Sequence, residues 1–152
     1  MEAVILCGVQ GAGKTTLYRD RFLETHVRVA MDLLRTRPRE EAFLRLCLAE
    51  RQRFVVDATN PTPAERRRYV EPAREAGFRV VGYFVEIADA QALARNAARE
   101  GRARVPPAAV VGTGRRLLRP TPEEGFDELW HATAAVDEGW RIEPLLSTPP
   151  LF

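Results

Sequence analysis

Lysine is nearly missing from this chain: of 23 Lys plus Arg in 152 residues, only Lys14 is a lysine, which leaves 22 arginines. Cysteine is scarce too. Cys7 and Cys47 both lie in apolar surroundings and read as small core residues, which excludes a disulfide framework or a cysteine metal site and predicts a reducing, cytoplasmic setting. The two histidines, His26 and His131, have no partner spacing for a metal or a catalytic triad and receive no role. The N-terminal apolar run Ala3-Val4-Ile5-Leu6-Cys7 has no basic residue before it and is too short for a signal peptide or a membrane span, so no membrane role is expected. There is no internal repeat, no low-complexity stretch and no dividing linker. With 45% hydrophobic and 29% charged residues, the chain reads as one globular domain over 1–152, long enough to bury a real core.

What the chain does contain is Gly8-Val9-Gln10-Gly11-Ala12-Gly13-Lys14-Thr15, which matches G-x-x-x-x-G-K-[ST] at every fixed position. Glycines allow consecutive backbone N–H groups to turn inward around phosphate oxygens, where a Cβ would clash. Lys14 then reaches the outer phosphates and Thr15 offers its hydroxyl to Mg2+. The loop follows an apolar strand and precedes a helix starting near Thr16, whose N-terminus adds its dipole toward an anion. Against the arginine bias of the whole chain, position 14 keeps a compact ammonium that a planar guanidinium fork cannot replace.

Charge is distributed unevenly although the net charge is only +2. Between Arg95 and Arg119 seven arginines face one acid, Glu100, while seven acids and one arginine follow from Thr121 to the end. A concentrated basic segment of this kind suits a polyanion held in one place.

In chain order, His26 to Met31 reads as a strand ending at Asp32, and Arg39 to Arg51 as a helix with Ala42, Phe43, Leu46, Leu48 and Ala49 on its apolar side. Arg53 to Asp57 reads as a strand, Ala64 to Ala76 as a helix closed by Gly77, and Phe78 to Glu86 as a strand. Helices are expected over 88–99 and 108–118. The tail suggests an amphipathic piece near Glu123 to Trp130 and a short strand near Gly139 to Ile142. Continuous Val/Ile/Phe strands alternating with helices predict a parallel sheet covered on both faces, with its ligand beyond the carboxyl ends of the strands.

Three strands end there in polar groups: the glycine loop, Asp32 and Asp57. Asp32 is the candidate general base, since phosphoryl transfer to an alcohol needs a carboxylate to accept the hydroxyl proton, though its position equally suits a helix N-cap. Arg35, three residues on, would share a helical face with it, as a salt bridge or as a phosphate ligand. Asp57 has the form of the acid that supports Mg2+ through its water shell, or is simply a strand-end turn carboxylate. Thr59 and Asn60 read as contacts to that shell or the acceptor, or as turn residues before Pro61. Arg95, Arg99, Arg102 and Arg104 are either a solvated face or, beside Gly101 and Pro106-Pro107, an arginine-bearing lid; the lid is favoured. Arg66-Arg67-Arg68 reads as a solvated helix face or a peripheral polyanion contact.

The ordered combination of the loop, Asp32-Leu33-Leu34-Arg35, Asp57-Ala58-Thr59-Asn60-Pro61, Arg95-Asn96 with Arg99, and Pro120 to Phe126 resembles the kinase domain of polynucleotide 5′-hydroxyl kinases, AAA-type members of the phosphate-loop kinases. That resemblance implies a three-layer α/β kinase fold, with a central parallel sheet and a lid at about 95–119. It implies ATP, or another nucleoside triphosphate, and Mg2+. Gly11, Ala12, Gly13, Lys14, Thr15 and Thr16 would hold the donor, Thr15 and Asp57 the metal. Lys14, Asp32, Arg35 and Arg99 would be catalytic: Asp32 as base for a 5′-OH, Arg35 on a strand phosphate, Arg95 and Arg99 on the donor phosphates. The acceptor would be a DNA or RNA end. Small-molecule kinases share much of this architecture, and a nucleotide-dependent switch would share the loop. Gln10 stands where these kinases often have proline, and no D-x-D-x-T phosphatase motif is present.

Overall fold

The first apolar run forms β1 (Glu2–Cys7), whose residues from Ala3 onward are all buried. A strand without a polar face needs cover on both sides and neighbours on both edges. It receives both. In the computed structural model, which describes residues 1–87, 98, 105–135 and 139–145, the sheet order is β2-β3-β1-β4-β5-β6. β2 is Val27–Val29, β3 Phe54–Val56, β4 Arg79–Val85, β5 Glu128–Ala135 and β6 Gly139–Pro144. The first five strands run parallel, and β6 closes the edge antiparallel to β5.

The register places Ile5 beside Val56 and Gly82, and Cys7 beside Phe84, so β1 runs two residues past the end of β3 alongside β4. Alternate residues of β1 then feed two separate cores. Ala3 and Ile5 pack with Phe54, Val56, Tyr69, Val70 and Phe78 on one face. Val4 and Leu6 pack with Leu17, Tyr18, Phe22, Val85 and Val110 on the other. Fully burying side chains of this size contributes roughly 1.5–3 kcal/mol each.

The helices follow from caps as much as from apolar spacing. α1 (Lys14–Arg21) begins at Gly13, whose φ of 102° only glycine adopts readily. α2 (Met31–Leu34) is a single turn. α3 (Arg37–Ala49) and α4 (Pro63–Glu75) each start at a threonine, Thr36 and Thr62, whose side chain accepts from the backbone N–H three residues on. α5 (Pro107–Arg116) lies on the α1 side through Val110.

The predicted parallel α/β sheet is present, and four sequence-based expectations are corrected. The buried face of α3 is Glu40, Leu44 and Cys47, and Leu46 is 55% exposed. The expected amphipathic piece after Glu123 is a one-turn 3-10 helix, Pro122–Glu124, followed by the long strand β5. Arg66 does not face solvent; its relative exposure is 0%. α2 ends at Leu34, so Arg35 does not continue the Asp32 helix but turns away at φ 76°. The helix expected over 88–99 lies outside the described residues.

Candidate functional site

The loop between β1 and α1 is held from below by the segment after β3. Gly8 N–H donates to the Thr59 carbonyl at 2.9 Å, and Asn60 Nδ2 donates to the Leu6 carbonyl at 2.8 Å. Asn60, at φ 45°, is buried, and its own carbonyl accepts from Cys7 Sγ at 3.1 Å and Arg66 NH1 at 2.7 Å. Through these contacts Asn60 fixes the end of β1 from which the loop departs, which is a structural role. Gly8 is needed for close approach, since a Cβ there would lie 2.4 Å from the Val85 carbonyl oxygen. Burial raises the Cys7 thiol to about 11, against the pull of Arg66 and Lys14, so it stays a neutral packing group at physiological pH.

Gly11 and Gly13 take φ of 84° and 102°, the left-handed values that let the loop curl before α1. Lys14 is buried, and its Nζ donates to the carbonyls of Gly8 and Val9 at 2.9 and 2.8 Å, lying back across its own loop. Gln10 reaches sideways: its Nε2 donates to Thr113 Oγ1 of α5 at 3.2 Å, and Thr113 donates onward to the Ala109 carbonyl. The residue standing in place of the common proline thus ties the loop to α5.

Thr15 and Asp57, 42 positions apart, meet directly. Thr15 Oγ1 donates to Asp57 Oδ2 at 2.8 Å, and Asp57 is 9% exposed. Sequence reasoning brought these two together as a pair of hard oxygen donors, the type that suits Mg2+. It missed Arg28 on β2, which donates from Nε to the same Asp57 oxygen at 2.8 Å. Nothing local in Val27-Arg28-Val29 announces this, because the partner arrives through the sheet.

Asp32 and Arg35 sit beyond the carboxyl end of β2, both exposed. Leu33 between them is 60% exposed. Thr16 is exposed at the start of α1. The loop, Asp57 and Asp32 therefore share one end of the sheet. Arg95, Arg99, Arg102 and Arg104 lie outside the described residues. Among those described, no group of three or more His, Cys, Asp or Glu is placed to hold a metal ion by itself, and no helix is long and apolar enough to cross a membrane.

Behind this end, Arg66 is the residue that sequence reasoning placed wrongly. It donates to Glu124 from Nε and NH2, and to the carbonyls of Asn60 and Leu118 from NH1. Leu118 N–H in turn donates to the Pro61 carbonyl at 2.8 Å. The chain leaving α5 is thereby fastened to the turn that supports the phosphate loop.

Comparison with known proteins agrees with this frame. A family model described as an AAA domain matches residues 4–121. The bifunctional polynucleotide phosphatase/kinase of Schizosaccharomyces pombe (strain 972 / ATCC 24843) is 29% identical over 131 residues, which are 82% of this chain and 32% of that protein. The chain thus spans about a third of that relative's length. Among solved structures, a gluconokinase from Sinorhizobium meliloti 1021 superposes with TM-score 0.59 at 16% identity, covering 87% of this chain and 82% of the other. Kti12 of Chaetomium thermophilum, in complex with ADP-AlF3, gives 0.63 at 15%, covering 86% and 88%. At such identities the likeness is one of fold. The motif-based resemblance to polynucleotide kinase domains and the sequence comparison point to the same kind of relative.

Proposed function

Because the chain belongs to the AAA-domain family whose model spans residues 4–121, we propose that it is an ATP-dependent kinase that transfers the γ-phosphate to the 5′-hydroxyl end of a polynucleotide. The observation that carries this reading is the shared position of the phosphate loop, the Thr15–Asp57 pair and exposed Asp32 at one end of the sheet. A loop alone supports binding, whereas a loop that shares its end of the sheet with an unburied carboxylate supports transfer to an alcohol.

In this reading the amides of Gly11, Ala12 and Gly13, with Lys14 and Thr16, hold the donor phosphates. The glycine φ values fit such a cradle, and Lys14 lies across the loop on the Gly8 and Val9 carbonyls. Thr15 and Asp57 would hold Mg2+, whose chemistry there is neutralisation of phosphate charge. Asp32 accepts the hydroxyl proton as the acceptor oxygen bonds to the γ-phosphorus and the bridge to the β-phosphate breaks. Arg35 takes a phosphate of the acceptor strand, and exposed Leu33 offers an apolar surface beside it. Arg95 and Arg99 close over the donor from a lid at about 95–119, within a single domain of 1–152.

Support for a polynucleotide acceptor comes from the order of the motifs and from the phosphatase/kinase relative. Because a gluconokinase shares this fold, the second reading is a small-molecule kinase, with an acceptor such as a sugar acid.

Replacing Asp32 by Asn separates transfer from mere nucleotide binding. A kinase should lose about 10²–10⁴ of its turnover with nucleotide affinity within about twofold of the parent. Unchanged turnover would remove Asp32 as the base, and unchanged nucleotide-dependent partner binding without any transfer would point to a switch.

A further inference from the structure

Arg28 enters neither the sequence motifs nor the roles assigned above, yet it touches both oxygens of the metal pair. Its Nε donates to Asp57 Oδ2 at 2.8 Å and its NH2 to Thr15 Oγ1 at 3.4 Å. Thr15 has a single proton, and that proton is directed at the same Asp57 oxygen. What Thr15 retains for a cation is its lone pairs, and Arg28 aims an N–H at that very atom. The side chains are 19% and 4% exposed for Arg28 and Asp57. A carboxylate this buried is costly to leave without a counter-charge, and a guanidinium supplies one at every accessible pH.

We propose that Arg28 is the resident cation of the Thr15–Asp57 site, holding both oxygens in place before a divalent ion arrives and making that ion's entry depend on the nucleotide. The inference rests on the reading of Thr15 and Asp57 as the metal pair. A guanidinium and a divalent ion beside one carboxylate repel each other, and the negative phosphates of a bound nucleotide offset that repulsion. Arg28 is therefore a positioning residue. It acts through Thr15 and Asp57, and sets the Mg2+ concentration at which nucleotide binding tightens.

The test uses the full chain as wild type, Arg28→Met, Asp57→Asn and the double variant, with two readouts besides turnover. The first is affinity for a fluorescent ATP analogue titrated against Mg2+; the second is thermal melting in EDTA. Wild type should tighten with Mg2+ and Asp57→Asn should blunt that response. Arg28→Met should reach half-effect at about tenfold lower Mg2+. In EDTA, Arg28→Met should melt below wild type, and the double variant above Arg28→Met, because it no longer buries a lone carboxylate. Arg28→Lys, which keeps the charge, should stay within about twofold of the wild-type Mg2+ requirement. A half-effect that is unchanged or higher in Arg28→Met, a tenfold drop in Arg28→Lys, or a double variant no more stable than Arg28→Met would overturn the role of Arg28. A wild type indifferent to Mg2+, or an Asp57→Asn variant that responds like wild type, would instead overturn the metal reading beneath it.

Discussion

Arg66 and Glu124 meet as a two-pronged pair, with Arg66 Nε and NH2 donating to the two carboxylate oxygens at 2.7 and 3.0 Å. Arg66 is fully buried and Glu124 nearly so. The remaining guanidinium nitrogen caps the Asn60 and Leu118 carbonyls, so one side chain joins β3's exit, the turn before α4 and the chain leaving α5.

Removing one member of such a pair leaves a buried charge and orphaned carbonyls, which costs about 3–5 kcal/mol. Arg66→Met should therefore lower Tm by an amount on the order of 10 °C in a calorimetric scan. Arg66→Lys should recover little, because an ammonium cannot span both carboxylate oxygens and the two carbonyls. Melting within about 2 °C of wild type for either variant, on the order of 0.5 kcal/mol, would show that the pair contributes no more than a surface salt bridge.

Gly8 supports a second prediction. With a Cβ placed 2.4 Å from the Val85 carbonyl oxygen, Gly8→Ala must push β4's end away from the loop or move the loop itself. Overpacking of this kind costs about 1–3 kcal/mol. The expected outcome is a lower urea midpoint together with weaker nucleotide binding, both measured on the same preparation. Full nucleotide affinity in a variant with an unchanged midpoint would mean that the approach of loop and strand is not needed.

A pH dependence follows from His26. Burial holds its imidazole below the ordinary 6.5, and the Glu2 carboxylate 3.0 Å away only partly offsets this. The unfolded chain then binds a proton more readily than the folded one as pH falls below 6.5. Stability is fully present above that value and declines as pH drops through the folded-state value. Melting at about pH 7.5 and about pH 5.5 should show a larger loss for wild type than for His26→Gln. Equal losses would remove His26 from any role in the pH response.

How much of the molecule was legible beforehand depended on whether a residue's partner lay nearby in the chain. The phosphate loop was readable because strand, glycines, Lys14 and Thr15 are contiguous, and Asp57 because it closes an apolar strand. Arg66 was misplaced because Arg66-Arg67-Arg68 looks uniformly solvated, while the acid that draws one of the three inward is 58 residues away. Arg28 was missed for the same reason, its carboxylate lying 29 residues on and one strand over. β5 escaped because Glu-Leu-Trp-His-Ala-Thr-Ala-Ala has few β-branched residues, and pairing with β4 and β6 overrides that weak preference. On α3, Leu46 looked like core, but Glu40, held by Tyr69 and Arg37, turns the buried face toward Leu44 and Cys47.

Transfer to a polynucleotide end is the central claim, and one measurement addresses it most directly. The chain is incubated with Mg2+ and γ-labelled ATP in the presence of equal concentrations of a 5′-hydroxyl oligonucleotide and gluconate, and the label is followed into each acceptor. Label is predicted on the oligonucleotide, none on the same oligonucleotide already carrying a 5′-phosphate, and loss of the signal in Asp32→Asn. Label on gluconate with the oligonucleotide untouched would contradict the claim.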